Sequence, residues 1–373
     1  MLKKFYREVI VPTGLMSALI MGAGLFSLPY LFSVAGVSLG FAYLAVFAIV
    51  FTMIHLMYSE VIRQSPGDHR FVGYARMHLG QPGFWLSILT TQVGILLVLL
   101  IYLVLSVHFV KAVFPAAPET YVFLAAWAVF SLSVISGIER LAKLDVLITG
   151  LKLLIIIGIF TLGAGGFRGA DFPLNSGYLF LPYGAILFSL SGRSAISSIH
   201  QYLREKRISE RYLKLSLGLG TFLPAALYAL FVIGVLGISG HSVTEDSVSG
   251  IAVALPWAGI IIFALGLLSL WTAYTFLGFE ARSILIKDFK LSRYLSAGVM
   301  ITIPPILYFL GLNNFLSLIA ISGGVLLSIE SILVILMWNK AVRPKAAVRF
   351  SSYLLAGVFV LAGMVEIWLT VKS

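Results

Sequence analysis

The residues of this chain whose types and spacing suit chemistry lie in the middle of long apolar runs, and the chemistry they suit is binding rather than bond-making. Leu19-Ile20-Met21-Gly22-Ala23-Gly24-Leu25-Phe26-Ser27-Leu28-Pro29 sets two glycines around an alanine. Glycine lacks the Cβ that favours helix over open chain. The stretch can therefore unwind into two half-helices whose freed amides and carbonyls hold a solute at membrane depth. The same small residues also let membrane helices pack closely, and taken alone the stretch leaves both readings open. A second such stretch is Phe188-Ser189-Leu190-Ser191-Gly192-Arg193-Ser194-Ala195-Ile196-Ser197-Ser198. A central arginine costs about 2.5–3.5 kcal/mol on insertion scales, so this helix must face protein or water. Glu330 is an acid deep in another apolar run, placed to carry a proton or to pair with a basic residue. Ser269, Thr272 and Thr275, near Trp271, offer hydroxyls that suit a sodium ion or tie helices together.

Other chemistries find no support. There is no cysteine, which removes disulfides and thiolate metal sites. His55, His69, His78, His108, His200 and His241 show no HExxH or other ligand spacing, so no metal is expected. No GxxxxGK[ST] loop occurs, which argues against an ATP-driven pump. No cofactor is implied.

The elements that position these residues are membrane helices. Of the 373 residues, 60% are hydrophobic and 11% charged, and the mean hydropathy is +1.03. Such a chain cannot hide its apolar surface in a water-soluble core. The first segment is too long for a removable signal peptide and lacks its cleavage site. Hydropathy places eleven spans at about 9–33, 37–63, 84–113, 119–137, 144–164, 179–199, 212–238, 251–281, 293–311, 314–338 and 350–371. The net charge of +11 sits in the short loops between spans, which is a topology signal and not a nucleic-acid surface. With the N-terminus cytoplasmic, 22 of the 26 Lys and Arg residues fall inside, leaving Lys111, Arg168 and Lys372 outside and Arg193 within a span. N-in and C-out follows. The loop 64–83 carries turn chemistry around a short polar segment, and 200–214 reads as a charged cytoplasmic connector. No extramembrane segment is long enough for a second domain, so residues 1–373 form one transmembrane unit.

Breaks in spans one and six, five spans apart, fit a five-plus-five inverted repeat. The expected fold is all-α and polytopic, with repeats at about 9–164 and 179–338 and an appended helix at about 350–371. Here the sequence resembles the amino acid–polyamine–organocation superfamily of transporters, with a leucine-transporter-like fold. Met21-Gly22-Ala23-Gly24-Leu25-Phe26 followed by Leu28-Pro29 is close to the family's first-helix G-[SAI]-G-[IV]-F…LP pattern, and Phe188-Ser189-Leu190-Ser191-Gly192 to its sixth-helix aromatic-x-x-x-glycine pattern. The short loops and eleven spans are most similar to the aromatic and neutral amino acid permeases, including the amino acid/auxin permease group.

The resemblance implies a secondary active amino acid transporter of the inner or plasma membrane, whose partners are the lipid bilayer, an amino acid and protons. It places a carboxylate on amides around Gly22, Ala23 and Gly24, and an ammonium on carbonyls around Met21, Phe188 and Ser191, with Ser189 and Gly192 completing the sixth-span site. Phe188 takes the part of a lid. Lys152 matches a fifth-helix lysine that follows an Asn or Asp, here Asp145, by seven residues. In sodium-independent relatives its ammonium stands where sodium-coupled ones bind the ion, and it can load and unload a proton; a lysine that snorkels to the cytoplasm is the alternative. Arg193 departs from the family pattern: it can neutralise a substrate side chain, pair with Glu330, or hold an inner gate through Glu60 or Glu280. Ser269, Thr272 and Glu330 complete the ion-coupling candidates. The alternatives are a sodium-coupled symporter of another small solute, a membrane-embedded enzyme, for which the scattered histidines offer no cluster, and a nutrient sensor, which usually brings a large soluble extension.

Overall fold

Long apolar runs with few charges become helices here because in lipid every backbone amide and carbonyl must find its partner within the segment. The computed structural model describes the backbone of residues 2–67, 69–136, 139–287 and 289–372, and the side chains among these outside 2–3, 136, 139–147, 287 and 370–372. Among the described residues the regular structure is helical, with no strand. Seven helices are long and apolar enough to cross a membrane, from Val37–Gln64 to Ala346–Leu369, and the pair Tyr6–Ile20 and Ala23–Ala35, bent by 53°, forms an eighth. Glu119–Ser136, Arg293–Phe309 and the two-part sixth span, Leu181–Leu190 and Arg193–Glu205, occupy the remaining expected positions. The chain is a multi-pass membrane protein.

Burial identifies the axis of the bundle. Span three, Gly94–Val113, is buried on nearly every face from Ile95 to Phe109, as a helix apolar all round must be when it runs through the centre. Span eight, Pro256–Lys287, packs along it, and span seven, Leu213–Ser239, packs on spans one and five. Glycines set the closeness of that last contact. A Cβ on Gly237 would stand 1.8 Å from the carbonyl oxygen of Gly163, and one on Gly163 would stand 1.9 Å from that of Gly234. Gly237→Ala is therefore expected to lower the thermal unfolding midpoint in detergent, by the equivalent of about 1–3 kcal/mol of overpacking. Gly158→Ala, on the same helix as Gly163 with nothing within 4 Å of the added carbon, leaves it unchanged.

The helix boundaries differ from the sequence reading at three places. The loop 64–83 is helical from Phe71, with an internal break at Gly80 (φ 71°, ψ −157°) just before Pro82. Phe71, Val72, Tyr74 and Ala75 are buried, so tertiary packing overrides the turn residues around them. Span eight starts at Pro256 and not near 251. Val248–Ala254 is a separate short helix, ended at Leu255 (φ −139°, ψ 83°) because a residue before proline is held out of the helical region. The connector 200–214 is shorter than expected, since the sixth-span helix runs on to Glu205. Of the three π-helical stretches among the described residues, Tyr6–Ile10 lies at the start of span one, Leu89–Val93 in span three and Ala320–Leu327 in span ten, and such bulges commonly mark function.

Candidate functional site

The first span leaves helical geometry where its glycines stand. Met21 (φ −73°, ψ 72°) and Gly22 (φ −104°, ψ −153°) separate the helix Val11–Ile20 from a tight turn at Ala23–Ser27 and the helix Leu28–Ala35. Pro29 lies in the first turn of that outer half, where its missing N–H costs nothing. The sixth span breaks at Ser191 (φ −67°, ψ 119°) and Gly192 (φ −138°, ψ 16°). The two breaks touch. A Cβ on Gly24 would stand 2.3 Å from the Ser189 hydroxyl and 2.8 Å from its Cα, and one on Gly192 would stand 2.6 Å from the Ile20 side chain. Tyr228 of span seven fastens both, its hydroxyl 2.8 Å from the carbonyl of Ile20 and 3.0 Å from that of Ser189. One proton shared between two freed acceptors is how an interrupted helix is satisfied without water.

A cavity opens beside the breaks. Its upper end is lined by Gly22, Gly24, Tyr102, Phe188 and Ser191, and its inner end by Thr91, Arg193, Ser194, Glu280 and Glu330. At that inner end Arg193 grips Glu330 with two donors, Nε at 2.8 Å from one oxygen and Nη2 at 3.2 Å from the other. Thr91 of span three donates to the same carboxylate at 2.8 Å. The guanidinium also lies 4.1 Å above the Phe71 ring, a cation–π contact strengthened by exclusion of water. Arg193 thus joins the sixth span to span ten and to the helix that follows the first inner loop.

The end of the first span beyond the break is roofed. Ser247, in left-handed backbone geometry (φ 60°), donates to the Phe26 carbonyl at 2.6 Å. Phe26 packs edge-on against Phe109, ring centres 4.9 Å apart. The neighbouring Asp246 is held by Thr244 and by the Ser249 amide, at 2.9 and 2.8 Å, and lies 3.6 Å from His108 of span three.

A second, smaller cavity lies on the other side of the first break. It is mostly apolar, and Lys152 and Ser269 line it with Met21. Lys152 Nζ donates to the Met21 carbonyl at 3.3 Å, so the ammonium points at the unwound segment.

The expected residues thus divide between two sites. Gly22, Gly24, Phe188 and Ser191 line the larger cavity. Ala23 and Ser189 are buried behind it, and Gly192 packs on Ile20. Met21 turns its carbonyl to Lys152. Thr272 donates to the Ser269 carbonyl of its own helix at 3.1 Å, and Thr275 bonds Ser133 of span four at 2.5 Å, while Ser269 alone of the three lines the Lys152 cavity. Of the open choices for Arg193, Glu330 is its partner. Glu60 is taken by Arg63 and Gln64 at 2.6 and 2.9 Å. Asp145, Glu139, Arg140 and Lys143 lie outside the described side chains. Sequence reasoning missed Tyr102, Tyr228, Thr91, Phe71 and Ser247, and also Glu366, a buried acid of span eleven against Gly184 and Gly324. The signal available for the tyrosines was a hydroxyl inside an apolar span, which needs a partner when buried.

No protein-family model matches the chain, and no curated protein matches it. Solved structures do. The chain is similar to MhsT in complex with L-phenylalanine, with a TM-score of 0.64 and 16% identity over 96% of this chain and 98% of that one. It is also similar to the Eremococcus coleocola manganese transporter in complex with an aromatic bis-isothiourea substituted compound, with a TM-score of 0.61 and 14% identity over 100% and 95%. At these identities the likeness is one of architecture: the chain has the leucine-transporter-like fold, with discontinuous spans one and six.

Proposed function

We propose that this chain is a secondary active amino acid transporter of the amino acid–polyamine–organocation type, in the aromatic and neutral amino acid permease branch, driven by protons or exchanging solutes without sodium. The observation that carries the reading is the meeting of two helix breaks at one cavity, which brings the helix start at Ala23 and the helix end at Ser191 to the same space. The amides of Ala23 and Gly24, at the start of the outer half of span one, suit a carboxylate, while that of Gly22 donates to the Ile20 carbonyl at 2.7 Å. The carbonyls of Phe188 and Ser191 suit an ammonium, and Phe188 closes over the solute. Met21 serves Lys152 rather than the solute.

Alternating access follows from the same parts. Spans one, two, six and seven move as a bundle against spans three, four, eight and nine, in repeats of about 9–164 and 179–338 with the last helix appended. The Arg193–Glu330 pair latches the inner end and the Ser247 roof latches the outer one. The protein works in the inner or plasma membrane with its N-terminus in the cytoplasm.

Coupling is read from Lys152. An ammonium donating to a carbonyl of the unwound segment supplies a positive charge where an inorganic cation would otherwise be held. The test is uptake of a mixed panel of radiolabelled amino acids into proteoliposomes under an inward proton gradient, an inward sodium gradient, or neither. Uptake that a proton gradient raises, or that needs no gradient, is expected. Uptake that only sodium raises would transfer the coupling role to the hydroxyls of span eight, and uptake of no amino acid would overturn the reading.

A further inference from the structure

The inner end of the larger cavity also bears on which amino acid is carried, an inference that rests on the transport reading above. Its floor carries two carboxylates, Glu280 and Glu330, and one guanidinium, Arg193. Arg193 is matched by Glu330, whose oxygens take Nε and Nη2 of the guanidinium together with the Thr91 hydroxyl. Glu280 lies in the field of Arg193 and of Arg70. An acidic side chain on this floor would have to take Arg193 from Glu330 and leave that carboxylate buried and unmatched, which is strongly unfavourable. A purely apolar side chain would cover polar groups without replacing the hydrogen bonds they make to water.

What the floor offers is a donor beside an acceptor. Glu330 engages Nε and Nη2 of Arg193, so the other terminal nitrogen, Nη1, remains to donate, and Glu280 retains capacity to accept. Thr91 and Ser322, also in the lining, donate to Glu330 and to the Leu318 carbonyl and so add acceptor oxygens. Above the floor the walls are apolar, with Ile95, Val98, Leu277 and Leu326 facing the space below Phe188. A methylene stem fits those walls. We propose that the carried solute is a neutral amino acid whose side chain ends in a primary amide, its carbonyl toward Arg193 and its NH2 toward Glu280.

Glutamine, methionine and glutamate have side chains of nearly one length and differ at the end group, and asparagine, leucine and aspartate repeat the comparison one carbon shorter. Purified full-length protein is to be reconstituted and assayed for uptake of each of the six, with lysine added. Thermal stabilisation of the detergent-solubilised protein by each serves as a binding readout independent of turnover. Glutamine or asparagine is expected to exceed its apolar and acidic counterparts by at least about tenfold, as a site built to hydrogen-bond one group rejects analogues lacking it. The triple variant Arg193→Met, Glu280→Met and Glu330→Met, which makes the floor apolar without leaving a lone charge, is expected to lose that preference and favour methionine or leucine. Preference of the wild type for methionine or leucine, for glutamate or aspartate, or for lysine would overturn the amide assignment and leave the transport reading standing. Failure of all seven in both readouts would overturn the two together. A preference that survives in the triple variant would also overturn the assignment, since the floor would then not be what reads the side chain.

Discussion

Lys152→Ala is expected to remove proton-stimulated uptake, a loss of at least tenfold, in protein that still folds and inserts. The lysine reaches from span five to the Met21 carbonyl at 3.3 Å, at the point where span one has left its helix. That carbonyl has no place in a helical ladder, and without its donor it becomes a buried acceptor at a cost of about 1–3 kcal/mol. The break would then shift towards a geometry that satisfies Met21 at the expense of the cavity beside Gly22. Lys152→Arg is expected to fail as well, because a planar fork of fixed donors cannot replace a compact ammonium aimed at one oxygen. Uptake into proteoliposomes with and without a proton gradient, paired with the melting midpoint of each variant, separates a lost coupling role from a lost fold. Uptake that keeps its proton dependence in Lys152→Ala would remove the residue from the coupling mechanism.

The second large effect is expected at the inner pair. Arg193→Met leaves Glu330 buried without its guanidinium, and breaking such a pair costs about 3–5 kcal/mol, whereas Glu330→Met leaves Arg193 the field of Glu280 and is expected to cost less. The double Met variant should recover most of that stability, since a buried pair replaced by apolar residues of similar size is often neutral. The melting midpoints of the two single variants and the double one form a cycle that isolates the pairing energy. Transport reports something different. Arg193 joins a moving span to Glu330, Thr91 and Phe71, so even the stable double variant should leave the inner end open more of the time. Reaction of a single introduced cysteine at Ser322 with a membrane-permeant thiol reagent measures that opening, against no background because the chain has no other cysteine. Equal labelling in the wild type and the double variant would remove the pair from the gate.

The sequence disclosed the helices and both breaks, because those features are local. Gly22 and Gly24 lie two residues apart, and Ser191 and Gly192 are adjacent, so composition within one turn reveals the weakness in each helix. The contacts across the bundle were hidden. Arg193 and Glu330 are 137 positions apart, and hydropathy fixes which runs cross the membrane but not how far one helix is rotated or shifted against the next. Three partners for Arg193 therefore stayed open until the register of span ten was known. Tyr228 was invisible for the same reason: its role depends on facing two breaks at once. Phe71 was hidden differently, since turn residues around Gly67 and Gly80 mask a helix that exists only because the bundle buries its apolar side. Lys152 was approachable only through resemblance to other proteins, as nothing in its neighbours distinguishes a lysine aimed at a carbonyl from one reaching for the surface.

The roof formed by Ser247 has a consequence for the direction of flow. To open outward, the outer half of span one must release the Ser247 hydrogen bond and part the ring of Phe26 from Phe109 and from Phe231, whose centre lies 5.9 Å away. Contacts of these kinds contribute about 0.5–1.5 kcal/mol each. A carrier with nothing bound meets that penalty unaided on every return, whereas a loaded one offsets it with whatever the solute gains by holding both breaks in the released form. The empty return is then the slow limb of the cycle. Such a carrier swaps solutes across the membrane faster than it accumulates them, a difference visible as counterflow outpacing net uptake, and it leaks little when no solute is present.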